Sequence, residues 1–112
     1  MSKAEREFFP VSDVEFTVCK GDDPAITERI LSSDGDVATR ILRYAPGADS
    51  TAMGVQVHDF WEEVYILEGS FTDLTLGETF SQGMYACRPP GMAHGPWRTD
   101  EGVLTFEVRY RA

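Results

Sequence analysis

Apolar and polar residues alternate along most of this chain, in short segments separated by glycine and proline. In 54–58 (GVQVH) and 103–110 (VLTFEVRY) every second residue is apolar. A period of two is typical of a strand that buries one face. This pattern, with the β-branched and aromatic residues that accompany it, predicts strands over 14–18, 27–31, 37–44, 54–58, 62–68, 71–76, 84–88 and 103–110.

Glycine and proline mark the turns between these segments. Pro46-Gly47 ends one predicted strand, Gly69 ends another and Pro89-Pro90-Gly91 ends a third. Proline cannot donate a hydrogen bond to a strand ladder, so these positions favour turns. Roughly eight or nine strands, with a turn signal every ~8–12 residues, predict an all-β sandwich or barrel. The only helix that we expect is a short one before Phe8.

Length and composition set the domain organisation. A chain of 112 residues has room for one domain with one core. The apolar fraction of 42% is ordinary for a globular protein and argues against disorder. We expect an N-terminal arm over about residues 1–12 and a barrel core over about residues 37–110.

The charge of the chain excludes some partners. The formal net charge is −9, and the acidic residues are spread along the whole sequence. Such a surface repels phosphate backbones and anionic membranes, so we expect neither nucleic acid nor membrane as a partner. The N-terminal MSKAEREFFP lacks the apolar core of a secretory signal. Cys19 and Cys87 lie far apart, which is typical of reduced thiols in a cytoplasmic protein.

The two histidines of the chain each lie beside other residues of a metal-ligating type. Gln56 and His58 share one face of the predicted strand 54–58, because side chains alternate along a strand. Glu62 begins the next predicted strand three residues later. His94 follows the rigid Pro89-Pro90-Gly91 turn, which can fix its direction. We therefore expect these four side chains to meet at one site.

Two imidazoles and one carboxylate form a ligand set that suits non-haem Fe(II) and leaves positions open for oxygen or substrate. The same donors also accept Mn(II), Ni(II), Co(II) or Zn(II). Gln56 has two possible roles at such a site. Its carbonyl oxygen is either a fourth ligand or a hydrogen-bond partner of a bound water or substrate.

Two motifs in this sequence resemble those of the cupin superfamily. The first cupin motif is G(X)5HXH(X)3-4E(X)6G, and its latter part is matched by Gln56, His58, Glu62 and Gly69. The second motif is G(X)5PXG(X)2H, and it is matched without a gap by Gly83, Pro89, Gly91 and His94. Three positions depart from the pattern. Gln56 replaces the first histidine of HXH, Gly47 lies three residues too far upstream, and Arg98 replaces a common asparagine.

The resemblance implies a cupin β-barrel, also called a double-stranded β-helix or jelly roll, over most of the chain. It also implies that His58, Glu62 and His94 hold one divalent metal ion. The departure at Gln56 has a parallel, because the zinc-dependent phosphomannose isomerases are cupins with a Gln-x-His ligand pair. The alternative is a metal-free cupin with an ordinary polar pocket.

The stretches HDFWEEVYILEG and PPGMAHGPW resemble small cupins of two groups. One group is the cupin-type anti-sigma factors, whose cupin domain binds zinc. The other is the acetylacetone-cleaving and related dioxygenases, which use iron. Because no helical zinc domain precedes this cupin sequence, we expect an enzyme, most simply a dioxygenase that cleaves a dicarbonyl or hydroxyketone-like compound. The alternatives are a metal-dependent isomerase or lyase and a non-catalytic zinc-binding sensor.

Four residues near the predicted ligands are candidates for a substrate pocket. Phe60 and Trp97 could form an apolar mouth that excludes water, and Trp61 is more typical of edge packing or a dimer contact. Arg88 and Arg98 could bind a substrate carboxylate, or could equally be solvated or paired with acidic residues. The expected partners are a small-molecule substrate and, through exposed edge strands, a second copy in a homodimer.

Overall fold

A computed structural model describes residues 3–112, and strands account for most of its regular structure. In chain order the strands are β1 (Thr17–Val18), β2 (Ile26–Asp34), β3 (Val37–Tyr44), β4 (Trp61–Asp73), β5 (Glu78–Ser81), β6 (Tyr85–Arg88), β7 (Trp97–Arg98) and β8 (Val103–Tyr110). Within the described residues, the only helical segments are two 3-10 turns, Val11–Asp13 and Thr51–Met53. The predicted all-β fold is therefore confirmed. No helix in this range is long and apolar enough to cross a membrane.

The thirteen residues of β4 organise the antiparallel sheet. The strands follow the order β1-β2-β3-β8-β4-β5, and β6 and β7 also pair with β4. One strand thus has four neighbours, because β8 and β6 flank its first half while β5 and β7 flank its end. The β4–β8 register shifts between Ile66 and Glu68. Such a bulge bends a strand and increases its twist, which lets the sheet curl.

An apolar core fills part of the interior of the curled sheet. The buried residues of this cluster are Cys19, Ile26, Leu42, Tyr44, Ala48, Ile66, Phe71, Trp97 and Val103. Phe71 stacks on Trp97 with ring centroids 4.2 Å apart and meets Tyr44 edge-on at 5.9 Å. These aromatic contacts tie the second half of β4 to β3 and β7.

Charged side chains also lie in the interior, beside this core. Arg40 on β3 donates to Glu107 on β8 at 2.9 Å and to Glu28 on β2 at 2.8 Å. Thr105 donates to the second oxygen of Glu107 at 2.9 Å. Buried charges are tolerated where they are paired and hydrogen-bonded in this way. The interior of this barrel is therefore partly polar, and the remaining charged residues belong to the site described below.

Several predicted elements differ from the structure. The segment 54–58 is not a strand; Gln56 makes the single isolated pairing within it, opposite His94. Predicted strand 14–18 shortens to β1, and 71–76 belongs to β4 up to Asp73 and then to a turn. No helix precedes Phe8 among the described residues, since an isolated helix this short is marginal in water. Part of that prediction, residues 1 and 2, lies outside the described range.

Candidate metal site

The predicted ligand residues come from three segments that converge in the interior of the barrel. Glu62 lies at the start of β4 on the inner face, and it is buried together with Val64 and Ile66. The backbones of Gln56 and His94 exchange two hydrogen bonds, of 2.7 and 3.0 Å. Residues directly opposite in an antiparallel pair place their side chains on the same face. This pairing sets Gln56 beside His94, although no regular strand contains either residue.

His58, Glu62 and His94 form a compact group of possible metal ligands. One donor atom from each of the three lies within 4.8 Å of the others. His94 Nε2 lies 3.9 Å from Glu62 Oε1. Bonds of about 2.0–2.2 Å to one ion place two donors about 3–4 Å apart. The spacing of His94 and Glu62 and the chemistry of the three donors therefore fit a single divalent ion.

Both imidazoles are held in orientations that suit metal ligation. The ring of His58 stacks on Phe60 at a centroid distance of 4.7 Å and an angle of 12°. His94 Nδ1 lies 3.4 Å from the carbonyl oxygen of Met92, so a proton on Nδ1 leaves the lone pair of Nε2 facing Glu62. Burial, reinforced by Arg88, lowers the pKa of His94 to about 4, and burial also lowers the pKa of His58. Both rings are therefore neutral at pH 7, as ligation requires.

Two arginines hold the carboxylate of Glu62. Arg88 Nη1 donates to Oε1 at 2.7 Å, and Arg109 Nε donates to Oε2 at 2.6 Å. Register explains both contacts, because Glu62 lies directly opposite Arg88 on β6 and Arg109 on β8. Burial by itself raises the pKa of Glu62, but the charges and hydrogen bonds of the arginines outweigh it and lower that pKa to about 2. Each carboxylate oxygen keeps a second lone pair, so Glu62 can still ligate a metal.

The side chain of Gln56 has one of its two polar atoms already occupied. Its amide nitrogen donates to the carbonyl oxygen of Met53 at 3.1 Å. The carbonyl oxygen Oε1 therefore remains the atom that can face a metal, a water or a substrate. Direct ligation by Gln56 stays a prediction, alongside the hydrogen-bonding alternative.

A cavity of about 140 Å³ opens beside His94 and Arg88. Its walls are mostly apolar and include Phe71, Leu76, Phe80, Met84, Met92 and Trp97. The guanidinium of Arg88 lies 5.3 Å from the centre of the Trp97 ring. Ligand sites are typically apolar cavities of this kind with a few polar groups that fix orientation.

Only some of the predicted pocket residues line the cavity. Trp97 and Arg88 line the cavity, whereas Phe60 is buried behind His58 and is not part of the cavity wall. The expectation that Arg98 lines the pocket is wrong, because Arg98 is exposed and lies outside the wall. Adjacent residues of a strand point to opposite faces, so the inward position of Trp97 turns Arg98 outward. Trp61 stacks on Tyr110 at 6.3 Å, away from the site.

Two residues of this region escaped the sequence analysis. Arg109 can be identified as a partner of Glu62 only from the β4–β8 register, which local sequence patterns do not specify. Asp73, at the end of β4, is 2% exposed and anchors the loop that carries His94. One oxygen of Asp73 accepts from the backbone of Thr75 and Leu76, and the other accepts from the backbone of Gly95 at 3.1 Å. An aspartate that follows a strand is a common turn signal, but its link to Gly95 is a tertiary contact.

Solved structures share this fold. An RmlC-like cupin from Shewanella frigidimarina NCIMB 400 is 19% identical, and the match covers 100% of this chain and 96% of that chain with a TM-score of 0.73. An acetylacetone dioxygenase from Acinetobacter johnsonii is 18% identical, with coverage of 93% and 73% and a TM-score of 0.72. The polyketide cyclase RemF from Streptomyces resistomycificus is 21% identical, with coverage of 94% and 79% and a TM-score of 0.72. The predicted cupin barrel is confirmed.

The family assignment rests on sequence. No curated protein matches the chain. The model of one family, described as the ChrR cupin-like domain, matches residues 6–111, which is nearly the whole chain. With the fold and the two cupin motifs in agreement with that match, this chain belongs to the ChrR cupin-like family.

Proposed function

We propose that this protein is a metal-dependent enzyme that acts on a small organic molecule. The observation that carries the proposal is the group formed by His58, Glu62 and His94, of which His94 also lines a mostly apolar cavity. The reaction that we favour is dioxygenase cleavage of a carbon–carbon bond in a dicarbonyl or hydroxyketone-like compound. Iron is then the expected metal, with zinc, manganese and nickel as alternatives.

The residues of the chain have distinct roles in this proposal. His58, Glu62 and His94 would hold the ion, which supplies a Lewis acid for substrate oxygens and, as Fe(II), electrons for O2. Glu62 stays ionised at every physiological pH and contributes the negative charge of the ligand set. Trp97 and the other apolar walls exclude water from the substrate, which strengthens electrostatic interactions inside the cavity.

The structural relatives whose activities are known support the assignment of the fold, but they do not favour one reaction for this chain. The acetylacetone dioxygenase and the polyketide cyclase named above catalyse different reactions on similar barrels. One fold can host many chemistries, so the choice of reaction has to rest on the site. An isomerase or a lyase that uses a redox-inert metal would employ the same ligands.

One observation favours a second candidate function, a zinc-binding sensor. The side chain of Gln56 lies beside His94, and its carbonyl oxygen is available as a donor. If that oxygen is a fourth protein ligand, fewer positions on the ion remain for substrate than with three protein ligands. The zinc-dependent phosphomannose isomerases combine a Gln-x-His pair with catalysis, so the sensor requires in addition that the ion accept no further ligand.

Elemental analysis of protein purified without chelator or added metal tests the proposal. We expect near-stoichiometric iron in the wild type, and its loss in a His94→Ala variant. A Glu78→Gln variant, changed at an exposed position of β5, is the matched control and should keep its metal. The iron-loaded protein should consume O2 in the presence of 1,3-diketones. Zinc without any turnover would favour the sensor, and no metal even after reconstitution would contradict the ligand assignment.

We also propose that the protein forms a homodimer. The sheet order ends at β1 and at β5, and strands at the end of a sheet offer unpaired backbone groups to a second chain. Light scattering coupled to size-exclusion chromatography would measure the mass in solution. A monomer at all accessible concentrations would contradict this part of the proposal.

A further inference from the structure

We propose that the substrate is a small organic anion, with its charged end at Arg88 and an apolar body of about one benzene ring in the cavity. This inference rests on the proposed function, since it assigns the substrate class of the same site. It depends on Arg88, on the balance of buried charge and on the size of the cavity.

Arg88 faces both the metal site and the cavity. Its side chain is 11% exposed, and it donates through Nη1 to Glu62 at 2.7 Å. A guanidinium has five N–H donors, so several remain for another partner. Arg88 is one of the residues that line the cavity, and its guanidinium lies over Trp97. A planar fork of donors at the wall of an apolar cavity is suited to a carboxylate or another planar oxyanion.

The charge balance of the interior also favours an anion. The buried ion pairs contain three carboxylates and three guanidinium groups: Glu28, Glu62, Glu107, Arg40, Arg88 and Arg109. Their formal charges cancel, and the buried carboxylate of Asp73, which also lines the cavity and accepts only from backbone N–H groups, adds one negative charge. A divalent ion at the candidate site would therefore leave one uncompensated positive charge in a buried region. Around the ion itself, Arg88 and Arg109 share the single carboxylate of Glu62. An uncompensated buried charge has a large desolvation penalty, and a negatively charged substrate reduces that penalty.

The cavity limits the size of the apolar part of the substrate. Its volume is about 140 Å³. An engineered cavity of about 150 Å³ in another protein remains dry and binds benzene. Side chains such as Phe71, Phe80 and Met92 provide comparable apolar walls. A single ring or a short branched chain therefore fits, whereas a fused bicyclic body is too large.

The binding of three probes tests separately the charge and the size that we propose for the substrate. Benzoate has the proposed anion and ring, benzamide is its neutral isostere, and 2-naphthoate keeps the anion on a larger body. Trp97 in the cavity wall reports binding by fluorescence, and a Trp61→Phe background removes the emission of the other tryptophan. We expect benzoate to bind at least tenfold more tightly than benzamide, and 2-naphthoate to bind more weakly than benzoate.

Variants of Arg88 identify the group that recognises the anion. Arg88→Met should weaken benzoate at least tenfold and leave benzamide unchanged, and Arg88→Lys should have an intermediate effect because it keeps the charge but loses the fork. Arg98→Met, at an exposed position outside the cavity, is the matched control and should bind like the wild type. Circular dichroism and thermal unfolding verify that each variant is folded. If Arg88→Met does not fold, Arg88→Lys and the benzoate–benzamide comparison in the parent still decide the result.

The outcomes separate this inference from the proposed function. Equal affinity for benzoate and benzamide, no effect of folded Arg88 variants, or no benzoate binding in the millimolar range would overturn the anion proposal. Binding of 2-naphthoate as tightly as benzoate would overturn the size limit. Titrations are carried out with both metal-free and reconstituted protein. A protein that never takes up metal but prefers benzoate through Arg88 overturns only the proposed enzyme, and one that holds iron without that preference overturns only the substrate class.

Discussion

Arg109 on β8 and Glu62 on β4 are direct partners across the two strands, and Arg109 Nε donates to Glu62 Oε2 over 2.6 Å. The same carboxylate accepts from Arg88 on its other side. A candidate metal ligand is thus oriented by two cations before any metal binds. The arginines hold Glu62 ionised and in place, and at the same time their charge opposes a divalent ion. Because the two effects oppose each other, we expect the metal affinity of the site to change when either arginine is replaced.

Replacement of Arg109 by methionine should separate these two effects. The change removes one partner of a buried carboxylate, so we expect a loss of stability of about 1–3 kcal/mol in urea unfolding. Metal affinity, measured by competition with a chelator, should rise because one nearby positive charge is gone. Arg43→Met, at an exposed position of β3, should change neither quantity. A fall in metal affinity in a folded Arg109→Met protein would instead mean that orientation of Glu62 outweighs repulsion.

The stability of the metal-free protein should depend on pH through Glu62. Its pKa is lowered from 4.5 to about 2 in the folded state, so its ionised form stabilises the fold. That contribution is fully present above pH 4.5 and is lost as the pH falls from 4.5 toward 2. The shift corresponds to roughly 3 kcal/mol. Urea unfolding from pH 7 to 2.5 should show a steeper loss for the wild type than for Glu62→Gln, and identical slopes would rule out this role.

Asp73 should control both stability and the position of His94. Its carboxylate accepts three backbone N–H groups, and one of them belongs to Gly95. Asp73→Ala leaves these donors without their partner, which we expect to cost about 1–3 kcal/mol. Metal affinity should fall with it, because the loop next to His94 is no longer anchored. Asp73→Asn keeps one acceptor oxygen, so its stability and its metal affinity should lie between those of the wild type and Asp73→Ala. Wild-type metal affinity in folded Asp73→Ala would show that the loop does not need this anchor.

Gly69 should tolerate no side chain, for a reason that the motif alone does not reveal. A Cβ at this position would lie 2.0 Å from the backbone oxygen of Gly102, and φ of Gly69 is +77°. We expect Gly69→Ala to destabilise by about 3 kcal/mol or more, from overpacking and backbone strain together. Gly77 has a similar φ of +70° and open space around it, so Gly77→Ala should cost only about 1 kcal/mol. Equal losses of thermal stability in the two variants would exclude the steric explanation.

Local patterns were sufficient for much of the secondary structure. Strands predicted over 37–44 and 103–110 have those same bounds in the structure, because alternation and flanking turn residues are local signals. The patterns did not determine which face is buried. On β8 the buried side chains include Thr105 and Glu107, whereas the apolar Phe106 is exposed. The interior of this barrel is partly polar, so the rule that the apolar face points inward fails there.

The residues of the candidate site likewise fall into those that the sequence predicts and those that only the tertiary structure places there. Sequence by itself predicted that His58, Glu62 and His94 meet, because the spacing of the two cupin-like motifs implies it, and this grouping holds although the segment 54–58 is not a strand. Tertiary structure decided that Arg109 and Arg88 clamp Glu62 and that Asp73 anchors the loop after His94. Those contacts depend on the register between strands that are far apart in the chain. Register is a property of the whole curled sheet, since it is set by which faces pack together rather than by any local stretch of residues.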